Sequence, residues 1–190
     1  MRGALVALAL VAAPVAAQEL RPADAGRLAG WETSLGAALH GALAAGAPAD
    51  VELLVESLSG VPGEIAPEGD WSCRTIKMGE LSDLVVYAPF ACRITAGEGG
   101  WRLEKLTGSQ RMGGTIHAGE VPALYTGTAW VDGGPATDYA GLPPEDQTPV
   151  EPGQTVAQVG WFEQAGPGQA RLLLPDPILE SRFDILWLTR

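Results

Sequence analysis

Apolar positions along this chain follow two different periods, and the change falls near residue 63. After Pro22-Ala23-Asp24, residues Leu28, Trp31, Leu35, Leu39 and Leu43 recur at spacings of three and four. That spacing predicts an amphipathic helix, and Gly46-Ala47-Pro48 ends it. Asp50 to Leu58 supports a second short helix before Gly60 and Pro62-Gly63 break it. From Trp71 onward, short runs rich in β-branched and aromatic residues are divided by Gly, Pro and Asp clusters, the pattern of an all-β region. About eight strands are predicted, over Trp71–Met78, Leu84–Ile94, Trp101–Thr107, Gly113–His117, Ala123–Val131, Thr155–Gln164, Gln169–Leu174 and Phe183–Leu188. Glu98-Gly99-Gly100 and Gly166-Pro167-Gly168 supply the positive φ angles that tight turns need. The expected class is α+β: a helical N-terminal segment over 18–62, then an antiparallel, roughly eight-stranded up-and-down barrel over 63–190. The six tryptophans share no repeating flank, so they read as large core or cavity-lining anchors.

The segment before the first helix has its own logic. Arg2 precedes an apolar run from Ala4 to Val15, and Val15-Ala16-Ala17 ahead of Gln18 forms an A-x-A-like cleavage site. Residues 1–17 are therefore expected to be a cleaved export signal, and the mature chain to be periplasmic or secreted. The run is shorter than the roughly 20 apolar residues a spanning helix needs, so no membrane-spanning segment is expected after cleavage. No cysteine near the site would take a lipid. In an oxidising compartment the isolated pair Cys73 and Cys92 is expected to form a disulfide. His40 and His117 sit in no ligand-spaced motif, and neither a metal site nor a cofactor is implied.

Charge narrows the partners. The formal net charge is −11, which argues against nucleic acid and anionic membrane surfaces. The acidity is uneven. Residues 18–70 carry two basic and nine acidic side chains, and residues 119–170 carry seven acidic and no basic ones. Between them, Arg74, Lys77, Arg93, Arg102, Lys105 and Arg111 face four acidic residues, so any anion-binding surface belongs to residues 71–118. The connection from Asp132 to Gln154 is long, proline-rich and acidic, and reads either as a lid over a barrel mouth or as a mobile insertion. Its carboxylates Asp132, Asp138, Glu145, Asp146 and Glu151 lack the spacing of an EF-hand loop.

One constellation carries geometry. Trp71-Ser72-Cys73-Arg74 and Phe90-Ala91-Cys92-Arg93 share the pattern aromatic, any residue, Cys, Arg. Pairing Cys73 with Cys92 in a hairpin places Trp71 opposite Ile94 and Thr75 opposite Phe90. Arg74 and Arg93 then share the other face as diagonal neighbours about 7 Å apart. If that face lines a cavity, the two guanidinium groups form a clamp for a carboxylate or phosphate. If it faces water, internal salt bridges serve them equally well. The expected ligand-binding set is Arg74, Arg93, Lys105 and Arg111 for charge, with Trp71, Trp101 and Tyr87 for apolar contact. Ser109 has His117 as its only nearby histidine but no nucleophile elbow, so it reads as a turn residue and no catalytic residue is assigned.

The stretches Gly69 to Lys77, Phe90 to Ile94 and Trp101 to Arg111, with Leu124-Tyr125, Arg171-Leu172 and Glu180-Ser181, resemble an exported bacterial family known as domain of unknown function 4893. The resemblance implies no particular reaction, ligand or cofactor. Gly69-x-Trp71 opening a strand, a leading helix and a basic residue after the last strand are also similar to calycin barrels, which implies Arg190 packing near Trp71. Small barrels of that kind commonly hold one small ligand. The expected function is a non-catalytic binding or envelope accessory role for a small anionic or amphipathic ligand. The alternative is a protein-binding module, such as an inhibitor of exported hydrolases, acting through the acidic loop. An outer-membrane barrel is disfavoured by the charges scattered from Arg74 to Arg111.

Overall fold

The structure is a computed structural model that describes residues 20–148, 151 and 153–190. The expected signal segment, 1–17, lies outside the described residues.

Three helices come first: α1 (Pro22–Ala29), α2 (Trp31–Ala45) and α3 (Pro48–Leu58). The single helix expected over the first apolar stripe is two, because Gly30 leaves helical geometry at φ −91°, ψ 3°. The face of α2 that meets the sheet is also rotated from the leucine stripe. Ser34, Ala38 and Ala42 are buried, Leu35 and Leu39 flank them, and Leu43 is 55% exposed. Small residues at the contact let the helix axis approach the sheet closely, and the leucines seal its sides. No helix among the described residues is long and apolar enough to cross a membrane.

Nine antiparallel strands follow: β1 (Gly69–Gly79), β2 (Ser82–Val86), β3 (Phe90–Gly97), β4 (Gly100–Lys105), β5 (Gln110–His117), β6 (Ala123–Val131), β7 (Val156–Gly166), β8 (Gln169–Pro175) and β9 (Phe183–Thr189). Each of β3 to β8 pairs with the next in sequence, and β1 pairs with both β3 and β9, so eight strands close a barrel. Closure leaves the ring without edges. The ninth strand, β2, pairs with the second half of β1, on the side that β3 has left. The one strand expected over Leu84–Ile94 is therefore two. The break falls at Tyr87-Ala88-Pro89, where Pro89 has no N–H to donate to a ladder and restricts Ala88 before it.

The β1–β3 register differs from the expected one by two residues: Trp71 faces Cys92, and Cys73 faces Phe90. The cysteines are diagonal neighbours with Cα atoms 5.9 Å apart, and they form the disulfide inside the barrel. A slip of two keeps the alternation of faces. Trp71, Cys73, Cys92 and Ile94 accordingly point inward with Leu103, Ile116, Tyr125, Phe162, Leu172 and Leu188, and Arg74 and Arg93 point outward. A second apolar layer joins α2 and α3 to the outer faces of β1, β8 and β9 through Ala42, Leu54, Ile76, Phe183 and Trp187.

The described part of the acidic connection is a strap along the outer wall of β6 and β7. Gln147 accepts a hydrogen bond from the Ala157 amide at 2.9 Å and donates to the Thr155 carbonyl at 2.8 Å. Tyr139 donates its hydroxyl to Asp24 at 2.6 Å, and Arg21 donates to both Asp24 and the Pro143 carbonyl. Asp24 is 1% exposed between Arg21 and Arg27. Burial alone would raise its pKa, but hydrogen bonds from Arg21, Tyr139 and Arg27 outweigh that and hold it below the usual carboxylate range. A depressed carboxylate stabilises the fold above its unfolded pKa and loses that contribution as pH falls through the folded value. Asp24→Asn is expected to destabilise the protein by about 3 kcal/mol at pH 7, because two buried guanidinium groups lose their counter-charge. Urea unfolding at pH 7 and pH 3 checks this, with the gap between wild type and variant narrowing at the lower pH.

Candidate functional site at the open end of the barrel

The two ends of the barrel differ. One is plugged by the segment leading into β1. Ile65 packs against the core, the Ala66 amide donates to Gln164 at 2.8 Å, and the Trp71 indole donates to the Pro67 carbonyl at 2.7 Å. Arg190 lies 4.1 Å above the Trp71 ring and donates to the Glu68 carbonyl at 2.6 Å. This is the contact the calycin resemblance implies. A side chain at residue 69 would need a left-handed φ of 130°, which favours glycine, and would displace the tip of Arg190, 2.8 Å from where its β-carbon would lie. Trp101 donates to Glu68 at the same end. Trp71 and Trp101 thus belong to the plug, away from the opposite mouth.

At the open end, strand alternation turns polar residues inward where the barrel below is apolar. Lys77 is 8% exposed, Lys105 6% and Asp184 6%. Their arrangement arises from the split beside β1. Where β3 departs and the Tyr87–Pro89 corner begins, the wall leaves a cavity of about 170 Å³ lined by Thr75, Tyr87, Phe90, Lys105, Gln110 and Glu180, with Ser109 at its rim. Two smaller voids of about 70 and 50 Å³ share Gln110 with it and reach Lys77 and Asp184. Below them Met112, Leu174 and Leu186 fill the barrel.

The two lysines are in different electrostatic states. Lys77 donates to Glu180 at 2.6 Å and to Gln110 at 3.1 Å, so its charge is balanced. Lys105 donates to the carbonyls of Thr107 at 3.0 Å and Gln110 at 2.6 Å, and its ammonium sits 3.7 Å from the centre of the Phe90 ring. Among the described residues no carboxylate lies within ion-pair distance of it. Burial, with the charges of Arg111 and Lys77 nearby, pushes its pKa down to about 8. Asp184 pairs with Lys77 across β1 and β9, yet that ammonium is taken by Glu180. Burial pushes Asp184 up to about 6, against the opposing pull of Lys77 and of the Ser181 hydroxyl, which donates to it at 2.6 Å.

Of the ligand-binding set read from sequence, the structure brings Lys105 and Tyr87 together at this mouth. Arg74 and Arg93 lie on the outer face, so the condition for a cavity clamp is not met. Arg93 pairs with Asp70 at 2.6 Å and is 52% exposed, and Arg74 donates to the Tyr87 carbonyl at 3.1 Å. Arg111 pairs with Asp132 at 3.1 Å and also borders the void of about 50 Å³ that Lys105 lines. Ser109 and His117 stand at opposite ends of β5, about 25 Å apart at the usual strand rise, so they cannot act as a pair. His117 instead bonds Thr126 at 2.8 Å. Among the described residues no three His, Cys, Asp or Glu side chains converge on a point that could hold a metal ion. Lys77, Phe90, Glu180 and Asp184 line the mouth but lie outside the ligand-binding set expected from the sequence. The readable signals were a lysine on the cysteine side of β1 and an aspartate inside the apolar run Phe183–Leu188.

A closed antiparallel barrel with a plugged end, flanking helices and a charged, partly hollow mouth defines a class of small β-barrel that can enclose a compact molecule. This chain belongs to the family described as domain of unknown function 4893, whose model matches residues 17–188. No curated protein and no solved structure matches it significantly.

The buried carboxyl at the mouth gives a direct test. A carboxyl whose folded pKa is raised binds its proton more tightly in the folded than in the unfolded chain, so its contribution to stability is lost as pH rises from about 4 through 6. Asp184→Asn keeps an acceptor for Ser181 without the charge. It is expected to raise stability at pH 8 by on the order of 2 kcal/mol and to change it little at pH 4, measured by thermal unfolding at both values.

Proposed function

We propose that this protein is a non-catalytic binding protein that holds a small carboxylate-bearing molecule in the open mouth of its barrel. The observation that carries the reading is Lys105, a buried cation hydrogen-bonded only to backbone carbonyls and facing a cavity. Burying an unpaired charge is costly, and a ligand carboxylate beside it would offset that cost through a charge-assisted hydrogen bond. Phe90 and Tyr87 supply apolar walls on either side of the site, and Thr75 and Gln110 supply hydrogen-bonding groups. A cavity of about 170 Å³ fits a compact acid rather than a long acyl chain, since packed side chains close the barrel beneath it. The leader read from the sequence of residues 1–17 supports a role in the cell envelope or outside the cell.

Calorimetric titration with acetate, benzoate and hexanoate at pH 7 tests the reading. At least one of the three is expected to bind, and Lys105→Met to weaken it tenfold or more. Affinity is expected to fall about tenfold per pH unit above pH 8, as the ammonium loses its proton. Stability of the free protein should move the opposite way. The unfolded lysine keeps its proton to about pH 10.5, so the Lys105 contribution improves from pH 8 to that value. Unchanged binding in Lys105→Met, or no binding of any acid, would sink the proposal and turn attention to protein partners.

A further inference from the structure

A larger cavity lies elsewhere among the described residues. It is a groove of about 390 Å³ on the outer wall, between the sheet face of β4, β5 and β6 and the stretch Ala136 to Ala140 of the strap. Its floor is Gly113. A β-carbon there would lie 3.4 Å from the end of the Trp130 ring and 3.5 Å from a guanidinium nitrogen of Arg102, so both groups lean over a position that carries no side chain. Arg102 pairs with Glu104 at 3.3 Å, and both are about half exposed. Thr115 and Asp138 complete the rim.

We propose that this groove is a binding site for a neutral saccharide of one or two pyranose rings. Its chemistry selects among ligand classes. Carboxylates of Glu104 and Asp138 flank the one arginine, which disfavours an anion. All three strands lie inside a closed ring with both edges paired, so a peptide cannot dock by adding a strand. What remains is a ligand with one apolar face for the Trp130 indole and a periphery of hydroxyls for a guanidinium, two carboxylates and a threonine. A pyranose ring has that shape. Its axial C–H groups form the flat face, and its equatorial hydroxyls reach outward in the plane of the planar side chains. The volume suits one or two rings, and the missing side chain at Gly113 lets Trp130 and Arg102 lie low over the sheet, beneath the ring that they would contact.

The groove shares Trp130 with the void of about 70 Å³ that reaches Lys77 and Asp184, but Lys105 lines neither of them. The test follows the indole N–H resonance of Trp130 in the ¹⁵N-labelled protein, assigned with Trp130→Phe, during titration with maltose, cellobiose and the disaccharide of N-acetylglucosamine. At least one sugar is expected to give a saturable shift with a dissociation constant on the order of 1 mM, typical of one stacked ring and a few hydrogen bonds. Gly113→Ser fills the floor with contacts that Trp130 and Arg102 can absorb, so the fold persists and binding should drop at least tenfold. Trp130→Ala, followed through the backbone amide resonances of Gly113 and Thr115, should abolish it, and Lys105→Met should leave it unchanged. No saturable shift with any of the three sugars, or binding that survives Gly113→Ser, would overturn the proposal.

Discussion

Everything in this fold depends on β1 having three partners. Its eleven residues pair with β3 through Gly69–Cys73, with β2 through Ile76–Gly79 and with β9 through Ser72–Met78. The β9 ladder closes the ring and removes the two edges an open sheet would expose. The exchange of β3 for β2 on the other side keeps β1 paired along its length but opens the wall near Tyr87–Pro89. One strand thus makes the barrel closed and makes its mouth hollow.

That hollow tolerates charge because its charged groups find polar or aromatic partners within it. Lys77, Glu180 and Gln110 form a connected set, and Lys105 is held by two carbonyls and an aromatic face. Asp184, directly across from Lys77, is left with the hydroxyl of Ser181. Two residues of opposite sign on paired strands would ordinarily form an ion pair. Here the ammonium turns toward the β8–β9 loop, and burial pushes the carboxyl it leaves behind above the usual carboxylate range.

Side-chain parity was legible in the sequence, and register was not. Alternation placed Cys73 and Cys92 on one face and Arg74 and Arg93 on the other, and both assignments match the barrel. The exact pairing depended on the β2–β3 corner. A run of apolar residues from Leu84 to Ile94 looks continuous until Pro89 is recognised as the point where one ladder must stop. Which face was inside could not be read either, because Lys77 and Lys105 share the buried parity with the cysteines and sequence statistics assign lysine to water. The helix stripe failed for a related reason: close packing selected Ser34, Ala38 and Ala42 over the larger leucines. The Arg190–Trp71 contact came through the calycin resemblance, since its partners lie 119 residues apart in sequence.

The pairing of β1 with β9 also orders events in time. Ser72 meets Thr189 and Met78 meets Phe183, so the ring cannot close until the last strand has emerged from whatever machinery delivers the chain. The disulfide joins residues only 19 apart, within reach as soon as β1 and β3 have been made. Loop closure over so short a span costs little entropy compared with the ladder from β1 to β9. Until β9 is in place β1 therefore has one side unpaired, while the disulfide can already tether it to β3. A ladder joining the first strand to the last gives the fold the non-local contacts that go with slow closure.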